Sequence, residues 1–379
     1  MKKIQFKLCV ILLSIAAMAA VTACKEEQKG LSDDDIMALP PMMEQFSDYF
    51  MMGNIFNPGD VGGSIVIDKR LTHHFNVLTA ENHMKPSYIA PSQGSYNYAT
   101  ADSMVNAARA SGFEVVGHTL LWHSQNASWM TTANCSQANM KTYITAVVDH
   151  FKGRIYSWDV LNEVFPDSGL TAASDWKTVM RSNNPWFASQ GSSFVYEGFL
   201  AARLADPNAI LYYNDYNLNQ TGKATMVRNM VREVNQQYKT AYPNETRLLI
   251  EGIGMQSHHN TGVTAASIRA TLELFKSLGV KISISELDVL GQSYQDFAAV
   301  GQGTNKHGST TVDAAGLQTQ ARLYGEYMKL FIQYKDIIER VSLWGVTDDK
   351  SWRSAGLPLL FKPNGKAKAA YYSFVGALD

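Results

Sequence analysis

Two glutamates close apolar stretches of this chain in the same manner. Glu163 ends "YSWDVLNEV" (156–164), and Glu286 stands near the end of "ISISELDV" (282–289). A carboxylate at the tip of an apolar strand is costly to desolvate unless a partner or a reaction requires it. A single such glutamate could cap a helix or form an ion pair. Two of them, accompanied along the chain by Asn, His, Gln and Trp, point to chemistry instead. Two facing carboxyls suit cleavage of a glycosidic bond. One, protonated, gives its proton to the leaving oxygen, while the other, ionised, attacks the anomeric carbon.

Such a pair must be carried by a frame that brings distant segments together. Short apolar, β-branched runs recur, separated by helical stretches: "GGSIVI" (62–67), "HFNVLTAEN" (74–82), "FEVVGHTLLW" (113–122) and "RIYSWDVLNE" (154–163), then "AILYYNDYN" (209–217), "RLLIEGIGMQS" (247–257), "VKISISELD" (280–288) and "RVSLWGVTD" (340–348). In "ASIRATLELFKSLG", Ile268, Leu272, Phe275 and Leu278 share one helical face, and Gly279 stands where a C-terminal cap belongs. The same rule places Leu323, Tyr327, Leu330, Phe331, Tyr334 and Ile338 on one face of a later helix. Eight strand–helix repeats predict an α/β fold, a single (β/α)8 TIM barrel. Polar residues gather at the C-terminal ends of seven of the runs: Glu81 and Asn82, His118 with Trp122 and His123, Asn162 and Glu163, Asn214 and Asp215, Gln256 and His258, Glu286 and Asp288, Trp344 and Asp348. A parallel barrel brings those ends to one face, where its active site belongs.

Composition narrows the partners. The 379 residues carry 33 Lys and Arg against 34 Asp and Glu, so no basic field for nucleic acid exists. Aromatic residues make up 11%, enough for some to stack on sugars. His118 and His123 lie on a strand and its loop with no HExxH pattern, so no metal and no cofactor are expected.

Residues 1–24 read as a lipoprotein-type signal peptide: a basic start, an apolar stretch too short for a comfortable span, and "VTAC" ending at Cys24. The ending resembles a bacterial lipobox, with Cys24 lipidated; a plain signal peptide cleaved nearby is the alternative. Residues 25–40 read as a flexible tether and 41–379 as the catalytic barrel. The expected location is the outer membrane of a Gram-negative bacterium, with the barrel outside and held by the lipid on Cys24. With Cys9 in the signal and Cys24 lipidated, Cys135 has no partner for a disulfide.

The segments "TAENHMK", "HTLLWHSQ", "WDVLNEV", "YYNDYN", "GIGMQSHH", "ISELDV" and "LWGVTDDKSWR" resemble, in order, the motifs of glycoside hydrolase family ten endo-β-1,4-xylanases. The resemblance spans roughly residues 50 to 379. It implies a monomer that hydrolyses internal bonds of xylan and xylo-oligosaccharides by a retaining double displacement. Glu163 is then acid/base and Glu286 nucleophile, with carboxyl groups about 5 to 5.5 Å apart. It implies that Asn162 bonds the sugar 2-hydroxyl and that His258 orients Glu286, with Asp288 fixing the His258 tautomer. His118 and Trp122 would support the sugar at the cleavage point. Glu81, Asn82 and Lys85 would grip the next sugar, aided by the amides of Gln125 and Gln256. Trp344 would stack, and Trp352 would crowd the place of a glucose hydroxymethyl, favouring xylose, with Arg353 bracing its loop. Tyr216 would be a platform on the leaving-group side, with Asn214 and Asp215 as supports. Trp186 and Phe187 either extend that side or pack inward, and "VGQGTNKHGSTT" (300–311) is a rim or a loop tip. A barrel that binds xylan without cutting it, or one that prefers another β-glycoside, are the competing readings.

Overall fold

The structure, a computed structural model, describes residues 34–62, 66–299 and 312–379. Eight parallel strands close on themselves: β1 (Met51–Phe56), β2 (Val77–Ala80), β3 (Glu114–Leu121), β4 (Ser157–Asn162), β5 (Ile210–Asp215), β6 (Gly252–Met255), β7 (Lys281–Val289) and β8 (Ile338–Leu343). Closure is made where β8 pairs with both β7 and β1, Ile338 opposite Ile282 and Arg340 opposite Met51. The strands are buried on both faces, as a parallel barrel wrapped by helices requires. The outer ring follows in alternation: α1 (Lys69–His74), α2 (Ala99–Ala110), α3 (Gln137–His150), α4 (Ser193–Ala205), α5 (Thr221–Ala241), α6 (Ala265–Lys276), α7 (Ala314–Gln333) and α8 (Ala369–Val375).

The first strand is not the one expected. "GGSIVI" carries the β-branched signal, yet Val61–Gly62 and Val66–Ile67 pair only with each other as a short antiparallel ribbon. The barrel strand is "MMGNIF", which has one β-branched residue and an asparagine at its centre. Asn54 is tolerated because it is fully satisfied. Its amide donates to the Gly345 carbonyl at 3.1 Å, and its oxygen accepts from the Gly345 backbone at 3.0 Å. Ile338 is a second correction: α7 ends at Gln333, and Ile338 opens β8.

The tether boundary also moves. Asp34–Pro40 was expected to be part of a flexible segment, but Ile36 and Leu39 are buried in the main core. Asp35 bridges to Lys366, and His74 donates from Nε2 to the Ile36 carbonyl at 2.8 Å. Burial pushes the His74 pKa down to about 4, so the ring stays neutral and its Nδ1 accepts the Met42 amide. Cys24, residues 25–33 and 300–311 lie outside the described residues. Among the described residues, no helix is long and apolar enough to cross a membrane.

Gly117 of β3 shows how tightly the barrel is filled. A Cβ there would sit 2.2 Å from the ring of Trp158, which is fully buried on β4.

Candidate active site

The fourteen residues expected to react or to touch sugar all line one cleft of about 700 Å³ at the C-terminal face of the barrel. Asn214 and Asp288 stand behind it, fully buried. Glu163 and Glu286 are joined by a relay of amides. Gln256 donates to Glu163 Oε1 at 2.9 Å and to Asn162 Oδ1 at 3.1 Å. Asn214 donates to that same Asn162 oxygen at 3.0 Å and to Glu286 Oε1 at 2.8 Å. Ser285 donates to Asn214 Oδ1 at 2.6 Å, which fixes the amide so that its NH2 faces Glu286.

Gly254 of β6 is needed for this arrangement. A Cβ at that position would lie 2.1 Å from Asn214 Oδ1. Asn214 therefore supports Glu286 by direct contact rather than from a distance.

Glu286 lies within β7 and is 4% exposed. Burial alone would favour its protonated form. The His258 hydrogen bond at 3.1 Å, the nearby His118 ring and the Asn214 amide outweigh burial, and the carboxyl titrates below the ordinary glutamate range. His258 also contacts Asp288 through Nδ1 at 2.9 Å, and Asp288 is clamped on its other oxygen by Arg353. Burial opposes a charged imidazole, but Asp288 and then Glu286 override it and raise the His258 pKa to about 9. The nucleophile candidate thus faces a charged histidine.

Glu163 has the opposite neighbour. His123 Nδ1 is 3.8 Å from Glu163 Oε2, and burial, reinforced by Arg181, pushes the His123 pKa down to about 4. This ring is neutral and supplies no cation. Trp122 donates from its indole nitrogen to Glu163 Oε2 at 2.9 Å. The backbone of Glu163 is left-handed, with φ of 56°. For a residue other than glycine this costs roughly 1–2 kcal/mol. Its own N–H donates to the Asn214 carbonyl at 2.9 Å. The anionic form of Glu286 is held by its surroundings, whereas the Glu163 carboxyl meets the neutral donors of Trp122, Gln256 and Asn162 beside a neutral His123.

On the remaining wall Lys85 is buried and donates to Gln125 Oε1 at 2.7 Å and to Asn82 Oδ1 at 3.2 Å. Its ammonium stands 5.0 Å from the Trp122 ring centre. Burial lowers its pKa, partly offset by Glu286, Glu81 and Glu163. His118 is held by Asp159 at 2.9 Å and meets Trp344 edge-on at 5.6 Å. Trp344 is 6% exposed and forms floor, whereas Trp352 is 39% exposed and stands over His258 at 5.1 Å.

A family model described as "Glycosyl hydrolase family 10" matches residues 42–377. The chain is a member of that family. A solved family 10 xylanase from termite gut, which also contains a bacterial Ig-like domain, shares 53% identity and superimposes with a TM-score of 0.88, covering 92% of this chain and 79% of that one. The β-1,4-xylanase of Dictyoglomus thermophilum is 31% identical over 98% of both chains. The exoglucanase XynX of Acetivibrio thermocellus is 33% identical over 88% of this chain, and the match spans only 29% of that longer protein.

Several site residues of this family 10 chain escaped the reading of its sequence. Asp159, which orients His118, is a charge in the middle of an apolar strand, and that alone was a legible signal for a buried partner. Asn57, which donates to Glu81, follows a strand placed in the wrong segment. Arg181 lies in a loop with no periodicity. Of the two aromatics left open there, Trp186 packs inward against Tyr143 and Trp129, and Phe187 leans on the same core. Among the described residues, no group of three or more His, Cys, Asp or Glu is placed to hold a metal.

Proposed function

We propose that the protein is a retaining endo-1,4-β-xylanase that cuts internal bonds of xylan. The observation that carries the reading is the amide relay that joins the two glutamates in one cleft: Gln256 donates to Glu163, Asn214 donates to Glu286, and both meet at Asn162 Oδ1. The His258 ring against Glu286 and the His123 ring near Glu163 differ in the direction of their pKa shifts, up for the first and down for the second. Glu163 gives its proton to the glycosidic oxygen as the bond from that oxygen to the anomeric carbon breaks. Glu286 forms the new bond to the same carbon, giving a glycosyl ester. Water then attacks that carbon and loses a proton to Glu163, and Glu286 leaves as the carboxylate. Loss of the Glu286 charge in the ester favours the switch of Glu163 from acid to base.

The curated relatives named as xylanases and the edge of Trp352 over the cleft support xylose as the sugar. Reducing-sugar release from xylan, compared with carboxymethylcellulose, tests this. Faster release from xylan is expected, and equal rates would remove the preference. Trapping the enzyme with a 2-fluoro-xylobioside should label Glu286; a label elsewhere would overturn the assignment.

The motif ending at Cys24 supports export and lipidation at that residue, with the barrel tethered outside a Gram-negative cell. Labelling with a palmitate analogue should mark the wild type and not Cys24→Ala. A labelled variant would refute the anchor.

A further inference from the structure

We propose that Arg181 is a positioning residue through which the leaving-group side of the cleft holds the proton donor in place. The inference rests on the assignment of Glu163 as acid/base made above.

Arg181 reaches three groups at once. Its Nε donates to the Glu163 carbonyl at 3.0 Å, and its Nη2 donates to the Tyr216 hydroxyl and to Asp167 Oδ1 at 3.1 Å. Its own backbone is fixed, because its N–H donates to the Val164 carbonyl at 2.8 Å. The guanidinium is 13% exposed, so these bonds form with little competition from water. The carbonyl it holds belongs to the left-handed residue. The peptide on the other side is tied as well, since the Val164 N–H donates to the Tyr213 hydroxyl at 3.3 Å, and that hydroxyl donates to Asp215.

The far end of Arg181 touches the cleft. Tyr216 and Asp167 both line it, and Lys223 stands 4.0 Å from the Tyr216 ring centre, paired with Asp215 at 2.7 Å. A sugar resting on Tyr216 therefore bears on a side chain that Arg181 bonds directly to the acid/base backbone. A planar guanidinium directs its donors to these three acceptors in a rigid fork, whereas the donors of a lysine rotate about one point. Glu163 has no other side chain holding its carbonyl among the bonds described.

A misplaced proton donor leaves a kinetic signature that general loosening does not. A dinitrophenolate departs without a proton, whereas phenolate or a sugar alkoxide needs one. The experiment measures kcat/KM of wild type, Arg181→Met and Arg181→Lys on aryl β-xylobiosides from dinitrophenyl to phenyl. General acid catalysis contributes about 10²- to 10⁴-fold, so the variants should lose at least about tenfold more on the phenyl than on the dinitrophenyl substrate. Loss by the same factor on every substrate, or no loss, would overturn the proposal. Should Arg181→Met fail to fold, as judged by circular dichroism, Arg181→Lys carries the same test. Tyr216→Phe removes the hydroxyl at the far end and should give part of the same leaving-group slope. A wild-type slope in that variant would break the link to the leaving-group side. A wild type that cleaves none of these xylosides would refute the proposed function itself, and this result is distinct from a flat slope in the variants.

Discussion

His258 Nε2 lies 3.1 Å from Glu286 Oε2, and the other ring nitrogen lies 2.9 Å from Asp288. One imidazole thus links two carboxylates and remains charged until about pH 9. Replacing it by Gln removes a charge-assisted bond from Glu286. Such a bond is worth about 1.5–3 kcal/mol, or about one to two pKa units. The acid limb of the kcat/KM profile should move upward by about one unit in His258→Gln, as read from rates across pH. An unmoved limb would mean that the Glu286 ionisation does not depend on this ring.

The same ring couples pH to stability. Its folded pKa is raised above the ordinary value, so its contribution is complete below about pH 6.5 and lost as pH climbs through about 9. Glu286 and Asp288 are shifted downward, so their contributions exist above the ordinary carboxylate range and fade as pH falls. Thermal melting of the wild type should decline between pH 6.5 and 9. His258→Gln should lose that decline, as followed by calorimetry.

Glu163→Ala should retain its first step on dinitrophenyl xylobioside, because that leaving group needs no proton, and should stall at hydrolysis of the ester. Azide, which attacks without a base, should restore turnover and yield a β-xylobiosyl azide. With natural xylan the loss should be about 10²- to 10⁴-fold. Failure of azide to accelerate the variant would place the acid/base elsewhere.

Asn214→Ala removes the amide that touches both Asn162 and Glu286. The loss of a bond to a charged group should lower kcat about tenfold to a hundredfold while the fold survives. Gly254→Ala attacks the same amide from behind, because its new methyl would meet Asn214 Oδ1. Matching kinetic defects in the two variants, measured on xylotetraose, would tie both to one contact. A normal kcat in Gly254→Ala would show that the amide can shift without consequence.

Trp352→Ala should raise the rate on carboxymethylcellulose relative to xylan, because the exposed ring is taken from the cleft edge. An unchanged ratio would assign sugar preference to other walls.

Much of this site was legible because its residues stand at strand ends, where alternation stops and a polar side chain must be explained. Glu163 and Gln256 are of that kind, each one residue past its strand, while Glu286 stands within β7, where a charge in an apolar run demands the same explanation. The frame was legible for seven strands for a related reason: parallel barrel strands are β-branched and apolar on both faces. "MMGNIF" was missed because its burial depends on Asn54 finding both of its partners at Gly345, near the other end of the chain. Arg181 was missed because a loop has no period, and its meaning comes only from the carbonyl and the phenol it meets. Asp34–Pro40 looked like linker by composition, and it is two apolar side chains and a neutral His74 that dock it.

Glu286 stands inside β7, while Glu163 stands one residue beyond β4, its carbonyl fastened by an arginine from the segment that follows. Under the proposed roles, the nucleophile is set in a strand of the barrel wall, and the proton donor hangs from the loop that follows β4. Exchanging residues 165–192 with those of another barrel of this kind would accordingly retune acidity and tolerance for departing groups, while the covalent half-reaction kept its machinery untouched.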